Sequence, residues 1–179
     1  MTTDASAVRV AVTGAVYVAP TGSTAPTDAT TALDAAWKSV GYISEDGVVE
    51  ANDTENEEIK AWQHSDIVRK TITKNETSYQ FTMIETNATS LSLFYGKTIA
   101  AGADSHVIGG ATTGKVALVI DVIDGTNVIR RHIPQAEVTE RGEVTISASD
   151  SLGYDTTVTA YPDATVGGSV EVFYSQAFA

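Results

Sequence analysis

The chain has 179 residues, a formal charge of −12 and no cysteine. Disulfide staples, thiolate metal sites and a cysteine nucleophile are therefore excluded. With 23 acids against 11 bases, the surface repels phosphate backbones and anionic bilayers, which argues against conventional nucleic-acid binding and polybasic membrane attachment.

A chain of this length fits one domain and can bury about 70% of its unfolded surface. Val, Ile and Thr supply 57 residues, and that β-branched bias predicts a mainly β protein. The opening Met1 to Ser6 lacks the basic start and apolar run of a signal peptide, and no stretch approaches transmembrane length. Synthesis and folding in a cytoplasm are expected, so the sequons at Asn52, Asn75 and Asn87 read as chance matches.

In chain order, Val8, Val10, Val12, Val16 and Val18 keep period two with Gly14 on the shared face. That predicts one long strand, bent or bulged at Gly14 and ended by the turn from Pro20 to Pro26. Thr27 to Ala36 reads as a small-residue connection with room for one helical turn, and Trp37 to Ile43 as a short strand. Ser44 to Glu58 holds Glu45, Asp46, Glu50, Asp53, Glu55, Glu57 and Glu58 and no base. It is too polar for a core and predicts a long exposed loop or extended hairpin.

Ile59 to His64, Ile67 to Lys74 and Tyr79 to Glu85 follow as strand candidates. Asn87 then fits a helix N-cap and Gly96 a C-terminal stop, with Ala88, Leu91, Phe94 and Tyr95 on one face between them. A helix of about ten residues cannot stand alone, so Leu91, Phe94 and Tyr95 must pack on a sheet. Lys97 to Gly110 reads as loop. Val116 to Ile123 and Val128 to Ile133 predict a hairpin through Asp124-Gly125-Thr126-Asn127. Alternating segments at Val144-Ile146-Ala148, Val158-Ala160 and Val170-Val172-Tyr174 bring the expected total to roughly ten strands. The fold class is mainly β, a sandwich or barrel with one flanking helix.

Little in the chain promises catalysis. His64, His106 and His132 are isolated and lack metal-ligand spacing. Asp53 to Glu58 lacks the glycine a calcium-binding EF-hand loop needs to turn, so a solvated segment is the better reading. Gly109 to Lys115 superficially suggests a phosphate loop, but Val116 follows the lysine and opens a strand. Neither enzyme nor cofactor is expected. Trp62 shares period two with Lys60 and His64. Two placements are open to it: inside its own sandwich, or under a neighbouring segment or subunit.

The run Gly14-Ala-Val-Tyr-Val-Ala-Pro-Thr-Gly-Ser-Thr-Ala-Pro26, with Trp37 to Gly41 and Tyr42-Ile-Ser-Glu-Asp-Gly47, resembles the major tail tube proteins of long-tailed, non-contractile bacteriophages. The similarity is strongest to the type found in phages of actinobacteria. It continues through Ile59-Lys-Ala-Trp62, Glu85-Thr-Asn87, Tyr95-Gly96 and Ile133-Pro-Gln-Ala-Glu-Val-Thr139.

The resemblance implies a structural virion protein built on a β-sandwich with a flanking helix. It implies hexameric rings stacked into a tube that surrounds the tape measure protein, meets tail terminator and tail tip proteins, and later passes double-stranded DNA without binding it. A single tube domain over residues 1–179 is expected, with no added immunoglobulin-like domain. Ser44 to Glu58 would be the stacking loop, aided by an N-terminal arm from Met1 to Ser6. Its basic partners on an adjacent subunit would come from Lys70, Lys74, Arg130 or Arg131. Val116 to Ile123 would pack the sandwich with one face and a neighbour with the other. The rival readings are another virion sandwich, such as a tail terminator or head decoration protein, and a ligand-binding β-sandwich module.

Overall fold

The computed structural model describes residues 8–110 and 114–176, so the expected arm from Met1 to Ser6 lies outside the described residues. In chain order the elements are β1 (Thr13–Pro20), β2 (Lys38–Ser39), β3 (Ile43–Lys60), β4 (Ile67–Met83), α1 (Ala88–Tyr95), β5 (Val116–Asp124), β6 (Asn127–Arg141), β7 (Tyr154–Ala160) and β8 (Glu171–Tyr174). The strands all join one antiparallel sheet in the order β2-β1-β5-β6-β7-β4-β3, with β8 pairing β6 off that path.

The sheet is long enough to curl around its own core. Its end strands β2 and β3 are joined by only Val40 to Tyr42. Val40 N–H donates to the Val16 carbonyl of β1, and Ile84 N–H, just past β4, donates to the Tyr42 carbonyl. The link therefore ties both ends of the strand order together. Inside lie Val16, Tyr79, Phe81, Met83, Leu118, Ile120, Ile133, Val138 and Val158, with Leu93 and Phe94 of α1. The expected sandwich or barrel is thus a single curled sheet rather than two separate ones.

Helix α1 starts and stops where its caps dictate. The Asn87 side chain accepts from the backbone of Thr89 and Ser90 at 2.8 and 2.9 Å, and Gly96 closes the end at φ 66°. Asn87 also donates to the Val40 carbonyl at 3.0 Å, which pins the helix to the sheet closure. Phe94 is buried while Leu91 and Tyr95 pack half-buried on the core, as expected. Leu93, absent from the expected face, is the most buried apolar residue of the helix.

Several expected strands are corrected. Among the described residues β1 begins only at Thr13, and Val8, Val10 and Val12 are exposed. Period-two valines mark a strand only where a partner strand exists, and β5 pairs β1 from Thr13 onward. Gly14 makes no bulge, since the register runs unbroken from Thr13↔Ile123 to Pro20↔Val116. It is needed for close approach: a Cβ there would lie 2.5 Å from the Asp121 carbonyl oxygen. Gly14→Ala should therefore force β1 and β5 apart and cost about 1–3 kcal/mol. Urea denaturation would check this, and an unchanged midpoint would contradict it.

Only Lys38–Ser39 of the stretch from Trp37 to Ile43 forms a strand before β3 begins. Val144-Ile146-Ala148 lies outside any strand, with Ile146 exposed. The connection from Thr27 to Ala36 contains no helix. Instead Asp28 caps its own turn, accepting from the backbone of Thr30 and Thr31 at 2.7 and 2.6 Å. The Thr31 hydroxyl, which donates to the same carboxylate, and then those backbone bonds hold the Asp28 carboxyl well below the usual range.

That connection covers the outer face of β5, which the chain was expected to offer to a neighbour. Trp37 and Leu33 pack on Ala19, Ala117 and Val119, and the Trp37 indole N–H donates to the Thr24 carbonyl at 2.9 Å. Near-continuous apolar sequence in β5 thus reflects burial on both faces within one chain. His132 is buried beside Trp37, with ring centroids 5.9 Å apart. Burial holds its imidazole below the ordinary pKa, against the opposing pull of Glu171 and Asp163. The folded chain thus favours the neutral ring. Its contribution is complete above the unfolded pKa near 6.5 and is lost as pH falls toward the lowered folded value. Melts at pH 7.5 and 5.5 should therefore show wild type losing more stability than His132→Gln; equal losses would remove the assignment.

Candidate functional site

Of the two forms expected for the acidic stretch, the structure takes the extended hairpin and not the loop: the stretch forms one edge of a projecting ribbon. Strand β4 pairs β7 only from Thr77 to Met83. Beyond Thr77, β3 and β4 pair only each other among the described residues, through Asp53↔Glu76 to Lys60↔Ile67. At about 3.3 Å per residue, Asp53 to Lys60 carries this arm about 25 Å past the sheet. Polarity hides it from any search for apolar periodicity, while Ile67, Val68, Thr71, Ile72 and Thr73 supply the β-branched content.

Both edges of the arm are open. An isolated two-stranded ribbon is only marginally stable, and unpaired edges are templates for another strand. The edges also differ in net sign: β3 brings Asp53, Glu55, Glu57 and Glu58 against Lys60, whereas β4 brings Arg69, Lys70 and Lys74 against Glu76.

Each expected assembly residue can now be placed. Glu45 and Asp46 sit in a bulge between the Ile43↔Met83 and Val48↔Phe81 pairs. Glu50 lies at the arm root, and Asp53, Glu55, Glu57 and Glu58 line the arm; all seven acids are exposed. Lys70 Nζ meets Glu58 at 2.8 Å, and Lys74 Nζ meets Glu76 at 3.5 Å beside the like-charged pair Asp53↔Glu76. Arg131 reaches across the curl from β6 to Glu50 at 2.7 Å. Glu50 stands opposite Tyr79, whose phenol burial and then the Glu50 charge push well above its ordinary pKa. Lys70, Lys74 and Arg131 thus have acids within their own chain.

Arg130 is not an exposed partner at all. It is buried on the outer face, donating to both carboxylate oxygens of Asp121 at 2.7 and 2.8 Å. It also donates to the carbonyls of Asp28 and Thr31, at 3.1 and 2.7 Å. Sequence reasoning missed this clamp, although the hairpin register that pairs Asp124 with Asn127 also sets Asp121 opposite Arg130.

At the arm tip, Ile59 to His64 is not a separate strand: β3 ends at Lys60 and the chain reverses. Ala61 N–H donates to the Asp66 carbonyl at 2.8 Å, while His64 and Ser65 take φ values of 59° and 58°. That left-handed pair is strained for residues with a Cβ. It leaves Trp62 97% exposed, which removes the placement of Trp62 inside its own sheet.

The three histidines stand apart: His64 on the tip, His106 against the Tyr95 ring at 5.3 Å, and His132 inside the outer face. Among the described residues no cluster of His, Asp or Glu could hold a metal, and no helix is long and apolar enough to cross a membrane. Of the segment Gly109 to Lys115, residues 111–113 lie outside the described residues.

A protein-family model described as phage tail tube protein matches residues 1–172. The chain belongs to the phage tail tube protein family. This tail tube protein is accordingly a structural tail component and not an enzyme. Two solved structures show a distant similarity to it. One is an extracellular contractile injection system, the PVC sheath–tube complex in its extended state. It is 12% identical, covering 96% of this chain and 98% of that one at a TM-score of 0.47. The other is the anti-feeding prophage cap, the AFP tube terminating cap. It is 11% identical, covering 88% and 86% at a TM-score of 0.43. Comparison with curated proteins finds no match.

Proposed function

We propose that copies of this tail tube family member add head to tail through their arms, six closing a ring, and that the rings stack into the tube of a long, non-contractile phage tail of the actinophage type. The observation that carries this reading is the two-edged arm, whose β3 edge is net acidic and whose β4 edge is net basic, so that unlike edges of two copies attract. A heterologous contact between unlike edges generates rings when the rotation closes, and closure removes the open edges. The intrachain pairs of Lys70 and Lys74 are exposed and individually weak, so exchanging them for neighbours' acids costs little.

The tube encloses the tape measure protein during assembly, joins terminator and tip proteins at its ends, and then conducts DNA in the virion. A net charge of −12 per copy suits a conduit, because carboxylates release no counterions to DNA and keep it sliding. Single domain organisation belongs to the same proposal, as does a second role for residues 44–58, whose side chains on the faces of the ribbon meet the next ring while its edges pair within their own. Negative-stain electron microscopy of concentrated protein tests it. Stacked rings with sixfold end views and an open channel are expected; solid filaments or closed dimers would overturn it.

A further inference from the structure

A cavity of about 570 Å³ opens between β1, β2 and α1. Its apolar lining includes Val18, Pro20, Leu93, Ile99 and Val116. Three exposed lysines, Lys38, Lys97 and Lys115, line it as well. None of them pairs with a carboxylate among the described residues. Lys97 Nζ reaches only the Val107 carbonyl at 3.5 Å, and Lys115 Nζ stands 4.8 Å from the Tyr161 ring centroid. On a chain of net charge −12, a cluster of three unpaired cations around an apolar hollow is a local exception.

The arm tip has the opposite character. Trp62 projects with nearly its whole side chain in solvent, flanked by the exposed Ile59 and Ile67. Asp66 in the tip turn and Glu57, three residues before the end of β3, meet no cation among the described residues. Lys60 and Arg69 share the tip, so the match with the cavity is between local pairs and not net charges. Strain at His64 and Ser65 is retained in a turn whose evident product is an outward indole. An indole in solvent forgoes the burial of an area on the order of 200 Å².

We infer that the cavity between β1, β2 and α1 receives the Trp62 tip of a second copy, with Lys97 and Lys115 meeting Glu57 and Asp66. The inference rests on the self-assembly reading above and adds the partner surface. The occupant cannot be the same chain's tip, because Lys38 of the cavity precedes β3 and the 18-residue strand carries Trp62 away from it by about 60 Å of strand path. Each copy then offers one tip and one cavity, the geometry of a contact that propagates and does not close as a dimer. A buried aromatic anchor ringed by charges is also the usual form of an interface hot spot.

Photocrosslinking in the full-length protein tests this. A benzoylphenylalanine at position 62, irradiated in the assembled fraction, should crosslink between copies to the segments holding Leu93, Ile99 or Val116. Trp62→Ala should raise the concentration needed for assembly by tenfold or more, about the loss of a hot-spot residue, while circular dichroism stays unchanged. Lys97→Glu with Lys115→Glu should weaken assembly, and adding Glu57→Lys with Asp66→Lys should restore it. Tubes whose crosslinks map elsewhere, or Trp62→Ala assembling like wild type, overturn this inference and leave the ring reading intact. Wild-type protein that remains monomeric at every concentration overturns both.

Discussion

Replacing residues 53–76 by Asn-Gly, so that Asn52 turns directly into Thr77, should yield a folded chain that forms no tubes. The body does not need the arm: every buried core residue on β4 lies at Tyr79, Phe81 or Met83, and β3 contributes to the core only through Ile43 and Val48. Asn52 and Thr77 already stand opposite each other, with the Thr77 hydroxyl donating to the Asn52 side chain at 2.8 Å. An Asn-Gly turn matches the twist of such a pair. Thermal unfolding should stay within a few degrees of wild type, since a ribbon lacking core contacts adds little to global stability. Sedimentation should report monomer, and micrographs should be empty of rings. Truncated protein that assembles as wild type does would remove the arm from the assembly mechanism.

Arg130→Met should be the most damaging single substitution in the body. The guanidinium satisfies Asp121, which is itself buried, and supplies the two bonds that hold the covering segment at Asp28 and Thr31. Removing it strands a carboxylate inside the outer face, a loss of about 3–5 kcal/mol. For a chain of this size that lowers the melting temperature by about 10 °C. Adding Asp121→Leu removes the stranded charge, so the double variant should recover part of the loss while the Asp28 and Thr31 carbonyls stay unserved. Urea and thermal denaturation measure both, and a single variant within 1 kcal/mol of wild type would refute the clamp.

The contrast between Arg130 and Arg131 shows how far one-dimensional reading reaches. The two are adjacent and identical in chemistry, yet alternation sends one outward to Asp121 and the other inward across the curl to Glu50. The turn at Asp124 to Asn127 predicts the first contact by register alone. Nothing local predicts the second, because it spans 81 positions and depends on how the sheet curls.

The valine run and the 144–148 segment fail for a related reason. Period two reports that side chains alternate, not that a partner strand supplies hydrogen bonds, and Val8 to Val12 and Val144 to Ala148 have none among the described residues. The arm shows the converse. Its pairing persists through polar sequence, so no apolar periodicity announces it, and the tip turns at His64-Ser65 with neither glycine nor proline to mark the place.

Read alone, the chain therefore revealed what short-range chemistry dictates: the mainly β character, the Asn87 and Gly96 caps, the stop at Pro20, the β5–β6 hairpin and the acid-rich character of residues 44–58. Those features depend on neighbours a few positions apart. The tertiary structure alone decided that β5 is covered by its own chain, that Arg130 is buried, and that the acids stand along an arm ending in an exposed tryptophan. Each of these depends on which distant strands meet, and long-range packing settles that choice once a single sheet curls around a single core.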